Sequence, residues 1–368
     1  MRFLISGYYG FGNLGDEALL EVIVSQLKTR HPFAEIDVLS AAPEQTAHEL
    51  RVHATPRWDA RAVREAIHNA DVVLSGGGGL LQNATSLRSL MYYAGILRTA
   101  TRANHKAMIF AQSIGPLDFW GKALVKEWCK GVRAATVRDS RSKELLVSLL
   151  PDTRVEQTAD PVFLYDAPDD EADLSSEGIG PQSDPLVIFC VRKANGLKER
   201  VDVLAHAADR FAQTYGARVA FLPLGGVADA EVSTMVIRKC KTAPVLLPEC
   251  TLARAAAIIR RSRAVVGMRL HALILAARYA VPFLAVPYDP KVSALCTDLA
   301  YPLPALFSLD PPSAKPPAQD TDALIERLWA EREQLSHALA QSGERLRALA
   351  SRNFEVLDVV VRERPASL

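Results

Sequence analysis

Residues 2–30, RFLISGYYGFGNLGDEALLEVIVSQLKTR, decide the fold. RFLIS is a short apolar run of strand character, GYYGFGNLG carries Gly7, Gly10, Gly12 and Gly15, and DEALLEVIVSQLKTR has helical periodicity. A strand, a glycine turn and a helix form the opening unit of a parallel sheet covered by helices. The alternation continues outward through EIDVLS, DVVLSG, AMIFAQS and AATVRD, with helical stretches such as ALVKEWCKGVR between them. It resumes in the second half with LVIFCVR, ARVAFLPLG, PVLLPE, RAVVGM and PFLAVPY, joined by runs such as LKERVDVLAHAADRFAQTYG. The fold class is therefore α/β, with two Rossmann-like doubly wound domains expected to face a cleft.

The chain has 368 residues, and at about 150 residues per domain that length also favours two domains. An acidic, turn-rich stretch after Tyr165 (DAPDDEADLSSEGIGPQSDP) reads as the linker. The expected boundaries are 1–166 for the first domain, 167–185 for the linker, 186–318 for the second domain and 319–368 for C-terminal helices. SAKPPAQD is a loop by its prolines, and Leu324, Leu328, Leu335, Leu339, Leu346 and Leu349 place an apolar stripe on the helices that follow. Such a stripe is expected to pack on its own domain.

Composition excludes several classes of function. With 43 basic and 42 acidic residues, a net charge of +1 and 49% hydrophobic residues, the chain is neither disordered nor a natural partner of nucleic acid. No apolar run approaches the roughly 18 residues that cross a bilayer, and MRFLISGYYG has no secretion-signal pattern, so a cytoplasmic protein is expected. Cys129, Cys190, Cys240, Cys250 and Cys296 are scattered, without CxxC or Cys/His spacing. No metal site or disulfide framework is expected.

In an open parallel sheet, ligands bind beyond the carboxyl ends of the strands. The turn after RFLIS brings Gly12, Asn13 and Asp16 to that edge and suits a sugar or an anion. Gly10-x-Gly12-x-x-Gly15 formally fits a dinucleotide fingerprint, but Asp16 and Glu17 would repel a pyrophosphate at the helix start. EIDVLSAAPE also lacks an acid right at its strand end for a ribose. Four consecutive glycines, Gly76 to Gly79, close DVVLSG and suggest a close approach to the backbone at Gly77 and Gly78. Gln112 and Ser113 follow AMIFA, and Arg138 stands at the junction after AATV.

In the second half, Arg269 and His271 follow RAVVGM at the start of an apolar helix. A cation and a titratable imidazole there suit an anionic ligand that also needs proton transfer. Lys291, after PFLAVPYDP, brings a further cation, and Glu249 and the turn LGGVAD complete the rim. Read alone, Lys291 and Glu249 are equally compatible with solvated surface charges.

The set GYYGFGNLGDEALL, SGGGGLLQ, AQSIGP, VRDSRS, TADPVFLY, GMRLHA and PYDPKV, in that order over residues 1 to 310, resembles the polysaccharide pyruvyltransferases, most closely the CsaB type. The resemblance implies a GT-B-like fold and transfer of the pyruvyl group of phosphoenolpyruvate to two hydroxyls of one sugar as a cyclic ketal. For the CsaB type it implies the 4- and 6-hydroxyls of N-acetylmannosamine in an undecaprenyl-diphosphate-linked precursor, and a carboxylate that helps anchor surface-layer proteins. Phosphoenolpyruvate would be the donor substrate, with no cofactor.

By motif, Arg138, His271 and Lys291 look like donor-site residues, with Arg269 beside them and Glu249 at the rim. Lys291 stands where some relatives have Arg. The expected roles are acid/base catalysis for His271, an anion clamp by Arg138, Arg269 and Lys291, and the holding or deprotonation of an acceptor hydroxyl by Asp16. Asp16 is equally compatible with a simple helix cap. Gly12, Asn13, Gly77, Gly78, Gln112 and Ser113 complete the expected acceptor side. A lipid-linked acceptor would bring the protein to the inner face of the membrane, and the C-terminal helical surface is the expected contact. Two other readings compete: a nucleotide-sugar glycosyltransferase of the same architecture, and a non-catalytic carbohydrate-binding protein.

Overall fold

The computed structural model describes residues 1–84, 86–167, 173–179, 185–310 and 320–363. Most of the expected linker, at 168–172 and 180–184, and the proline loop over 313–319 lie outside the described residues. The chain divides into two compact units, Met1–Tyr165 with Leu346–Leu368, and Asp166–Arg345.

The first unit runs β1 (Arg2–Tyr9), α1 (Leu14–Arg30), β2 (Glu35–Ser40), α2 (Pro43–Leu50), β3 (His53–Pro56), α3 (Ala60–Asn69), β4 (Val72–Gly78), α4 (Leu87–Arg102), β5 (Lys106–Gln112), α5 (Phe119–Trp128), β6 (Ala134–Val137), α6 (Ser140–Leu149) and β7 (Arg154–Gln157). All seven strands are parallel, in the order β3-β2-β1-β4-β5-β6-β7. The order reverses direction between β1 and β4, which is where a doubly wound sheet opens a crevice for ligands. Central β4 is buried along its whole length because helices cover both faces of the sheet, and this explains the unbroken VVLSGGG run.

The helices start where the sequence supplies caps. Asn13 accepts the Gly15 N–H ahead of α1, and Asp59 accepts the N–H groups of Arg61 and Ala62 ahead of α3. Edge strands β3 and β7, HATP and RVEQ, escape the sequence reading. Each is four residues long, largely polar and only partly buried, so neither shows an apolar run.

The second unit runs β8 (Leu186–Cys190), α7 (Val201–Tyr215), β9 (Arg218–Phe221), α8 (Val227–Ile237), β10 (Val245–Leu246), α9 (Leu252–Arg261), β11 (Ala264–Gly267), α10 (Leu270–Arg278), β12 (Phe283–Ala285), α11 (Pro290–Asp298) and α12 (Thr321–Ala330). Its strands are also all parallel, in the order β10-β9-β8-β11-β12, with the reversal between β8 and β11. Both units are therefore Rossmann-like, as the sequence led us to expect.

The last helix, α13 (Arg332–Arg362), corrects the expected boundary at 319. Leu324, Leu328 and Leu335 do pack into the core of the second unit. From Leu346 onward, however, the chain belongs to the first unit. There Phe354, Val356, Leu357 and Val360 join Phe3, Ile5 and Phe110 in its core. Polar contacts hold the return in place: Thr158 donates to Asn353 at 2.8 Å, Lys106 to the Val361 carbonyl at 2.6 Å, and Asp358 pairs with Arg30. Among the described residues no helix is long and apolar enough to cross a membrane.

Candidate functional site

In the first unit the expected residues gather at the carboxyl ends of β1, β4 and β5. Asn13, at the start of α1, donates its side-chain amide to the Asp16 carboxylate at 2.6 Å. The next acid, Glu17, turns back to accept the Gly10 N–H at 2.9 Å. Burial raises its pKa from the ordinary carboxylate value, and the neighbouring Asp16 adds to the shift. The two acids thus fold the exposed turn containing Gly12 back onto the helix.

Gly78 holds φ at +79°, and a Cβ there would lie 3.2 Å from Asp16 Oδ1. The absent side chain lets the carboxylate lie against the end of β4. Gly77 packs on Leu19, and Tyr9 is buried beneath the turn with its hydroxyl donated to the Gly76 carbonyl at 2.6 Å. Burial pushes the Tyr9 phenol well up, so it stays a neutral donor.

Two expected residues turn out to serve this turn from within. Gln112 is wholly buried, and its amide nitrogen donates to the Ser75 carbonyl at 2.7 Å and to its hydroxyl at 2.8 Å. It has no surface to offer a ligand. Arg138 is nearly as enclosed. Its guanidinium pairs with Asp160 and donates to the Gly78 carbonyl at 2.9 Å and to Ser113 Oγ at 3.2 Å, while the Ser113 N–H reaches the same carbonyl at 2.9 Å. The geometry makes Arg138 a brace of the glycine turn, with its charge already matched by a carboxylate.

In the second unit Arg269, His271 and Lys291 follow β11 and β12, and Glu249 is exposed with its carboxylate beside Gly226. Arg269 precedes α10 and is held by Asp229, a fully buried acid at the start of α8. Asp229 receives Nε at 2.7 Å and Nη2 at 2.6 Å. Gly225 makes this possible, since a Cβ there would fall 1.7 Å from the guanidinium. His271 lies one residue into α10 and Lys291 one residue into α11, where Asp289 caps the Lys291 N–H at 3.0 Å. Helix amides at these starts add positive potential at the same edge.

The sequence reading missed Arg192, two residues beyond β8. Its Nη1 donates to the Tyr288 hydroxyl at 2.7 Å, and its guanidinium lies 4.4 Å from the centre of the Tyr288 ring. Register pairs Gly267 with both Cys190 and Ala285, so Arg192, Arg269 and Tyr288 leave three adjacent strands at one level. Burial raises the Tyr288 phenol and Arg192 opposes it. The clue in the sequence was the strand end itself, FCVRK, read there only as apolar. Among the described residues no group of three or more His, Cys, Asp or Glu is placed to hold a metal ion.

A family model for polysaccharide pyruvyl transferase matches residues 13–290, which take in most of both clusters, from Asn13 and Asp16 to Arg269 and His271, and end one residue before Lys291. The chain belongs to the polysaccharide pyruvyl transferase family. This pyruvyl transferase is thus a transferase enzyme, and no curated protein matches its sequence. Its structure is similar to that of a Listeria monocytogenes protein described as a UDP-N-acetylglucosamine 2-epimerase, with a TM-score of 0.66, 12% identity, and 100% of this chain and 99% of that one covered. It is also similar to the Neisseria meningitidis UDP-GlcNAc 2-epimerase bound to UDP-GlcNAc, with a TM-score of 0.62, 9% identity and 99% and 100% coverage. A third is Anabaena HepE in complex with UDP and glucose, with a TM-score of 0.60, 12% identity and 98% of each chain covered. At such identities the likeness shows the fold, and for this pyruvyl transferase that fold is GT-B-like.

Proposed function

We propose that the enzyme moves the pyruvyl group of phosphoenolpyruvate onto two hydroxyls of one sugar as a cyclic ketal and releases phosphate. The observation that carries this reading is the cation-rich edge of the second unit, where Arg192, Arg269 and Lys291 follow three adjacent strands with His271 among them. A small donor bearing both phosphate and carboxylate calls for that concentration of charge-assisted donors.

The reaction balances without a further reactant. One hydroxyl proton ends on the methylene carbon, making it a methyl group, and the other leaves with phosphate. The C–O bond to phosphate breaks as two C–O bonds to the sugar form. In this proposal His271 supplies and collects protons beside the donor. Arg269, oriented by Asp229, and Lys291 bind the donor's anionic groups, and Arg192 joins them from β8. Glu249 borders the same edge. Arg138, expected to clamp the donor, takes the part of positioning the glycine turn because its guanidinium is engaged by Asp160, the Gly78 carbonyl and Ser113 together, whereas Asp229 holds Arg269 along one edge. Asp16, steadied by Asn13, holds or deprotonates an acceptor hydroxyl beside Gly12 and Gly78, with Ser113 fixing that turn.

For the acceptor we propose the 4- and 6-hydroxyls of N-acetylmannosamine in an undecaprenyl-diphosphate-linked wall precursor, as the CsaB-type motifs imply. The enzyme would then work in the cytoplasm and visit the inner face of the membrane, and its product would help anchor surface-layer proteins. The competing reading, a glycosyltransferase, draws on neighbours of the same fold solved with UDP or UDP-sugars.

Phosphate release from phosphoenolpyruvate, with and without an N-acetylmannosamine-containing disaccharide on a diphosphate lipid analogue, tests the proposal when product mass is followed in parallel. Acceptor-dependent release with the mass gain of one ketal-linked pyruvate supports it. Binding of UDP-sugars without any release replaces it with the glycosyltransferase.

A further inference from the structure

Beside the turn that carries Asp16, the first unit exposes a cluster of aromatic rings around one buried cation. Arg57, one residue beyond β3, is 4% exposed. Its guanidinium donates to the Gly7 carbonyl at 2.8 Å and to the Tyr93 hydroxyl at 3.1 Å. It also lies 5.0 Å from the ring centre of Phe11, 4.9 Å from that of Trp58 and 4.7 Å from that of Tyr92. Among the described residues no carboxylate lies within ion-pair distance of it, and its Nε has no hydrogen-bond partner. The charge of Arg57 is therefore met largely by π faces, which holds those rings in place.

What this arrangement holds up is apolar and open to solvent. Trp58 is 71% exposed, Tyr8 42% and Phe11 39%. Tyr8 and Phe11 stack at 4.1 Å with their planes 10° apart, and Phe11 meets Trp58 edge to face at 6.4 Å. A cavity of about 370 Å³ adjoins Trp58 and is walled by Arg57, Arg64 and Tyr92. A group of large rings left in water, rigid before anything binds, marks a binding surface.

We infer that the Tyr8, Phe11, Trp58 and Tyr92 surface is an extended acceptor subsite, which stacks an uncharged pyranose neighbouring the sugar that is modified. The inference rests on the pyruvyl-transfer reading. Three features select this occupant. The C–H face of a pyranose is weakly positive and flat, and it packs on the electron-rich face of an aromatic ring. Arg57 is too enclosed to present a full charge to an anion. Phe11 stands between Gly10 and Gly12 on the turn that leads into Asn13 and Asp16, so a polymer held at Asp16 has its next sugar within reach of the rings. The family's acceptor is a polysaccharide, and such an acceptor has a next sugar to offer.

Kinetics on two acceptors test this: N-acetylmannosamine alone on the diphosphate lipid analogue, and a tetrasaccharide on the same lipid. The wild-type KM should be lower for the tetrasaccharide. Trp58→Ala should raise that KM about tenfold, well beyond its effect on the monosaccharide, with kcat held, and Trp58→Phe should recover most of the loss. Equal KM values in wild type and Trp58→Ala for the tetrasaccharide would overturn the subsite. So would a change from dimer to monomer on sedimentation of Trp58→Ala, which would make the rings an interface between copies. Calorimetric titration of the tetrasaccharide separates this inference from the reading beneath it. If wild-type protein binds it and Trp58→Ala does not, the platform stands even where phosphoenolpyruvate is not turned over. Failure of the wild type to bind it overturns the platform.

Discussion

Asp229 and Arg269 form a two-point pair in the second unit, the fully buried carboxylate receiving Nε at 2.7 Å and Nη2 at 2.6 Å. The geometry sets both the angle of the guanidinium and the direction in which its remaining edge can meet a ligand. Asp229→Asn would leave that edge misaimed and a charge poorly matched. We expect kcat/KM for phosphoenolpyruvate to fall roughly a hundredfold. The melting temperature should drop as well, since breaking a buried pair costs about 3–5 kcal/mol. Steady-state kinetics and thermal unfolding read the two effects separately.

His271→Ala should abolish turnover while leaving the fold intact. Loss of a positioned proton donor costs about 10²–10⁴-fold in rate. Phosphate release measures it, circular dichroism checks the fold, and a rate near that of the wild type would remove His271 from the mechanism.

Gly78→Ala addresses the acceptor side. The added methyl would sit 3.2 Å from Asp16 Oδ1 on a residue with φ at +79°. The left-handed backbone alone costs about 1–2 kcal/mol. The predicted signature is a raised KM for the sugar acceptor with the KM for phosphoenolpyruvate close to wild type.

Glu17 makes stability depend on pH. Burial raises its folded pKa above the ordinary 4.5, so above that pH the folded chain holds the proton longer than the unfolded chain does. Stability must therefore fall as pH rises from about 4.5 through the raised value, and then level off. Glu17→Gln keeps an acceptor for the Gly10 N–H and removes that fall. Melting curves of variant and wild type should nearly coincide at low pH and separate toward neutrality, with the variant higher.

Particular residues show how far the sequence could be read. RFLIS, DVVLSG and LVIFCVR announced central strands because both faces of those strands are buried and their apolar runs are unbroken. HATP and RVEQ did not, because an edge strand buries too little to leave a pattern. Asp16, Arg269, His271 and Lys291 were singled out as candidates by their places after strands, which is where the structure sets them. Arg192 was passed over, and Asp229 was read only as the end of the rim turn LGGVAD, since a buried counter-ion and a cation resting on a ring depend on pairings across the fold that no local spacing records. Gln112 was expected on the acceptor side, and its burial against Ser75 was not legible because that partner is 37 residues away. The aromatic cluster drew Tyr8, Phe11, Trp58 and Tyr92 from three separated segments, so no motif contained it.

The final turns of α13 lie in a core whose other members include Phe3, Ile5 and Phe110, with Phe354 set edge to face on Phe110 at 5.0 Å. During synthesis, β1 must therefore wait for α13, far downstream in the chain, before its apolar surface is sealed. The second unit, contiguous in the chain, can finish while the first is still open. Premature termination near residue 345 would release a protein with one complete half and one half exposing the seam where its closing helix belongs, a natural target for chaperones and proteases.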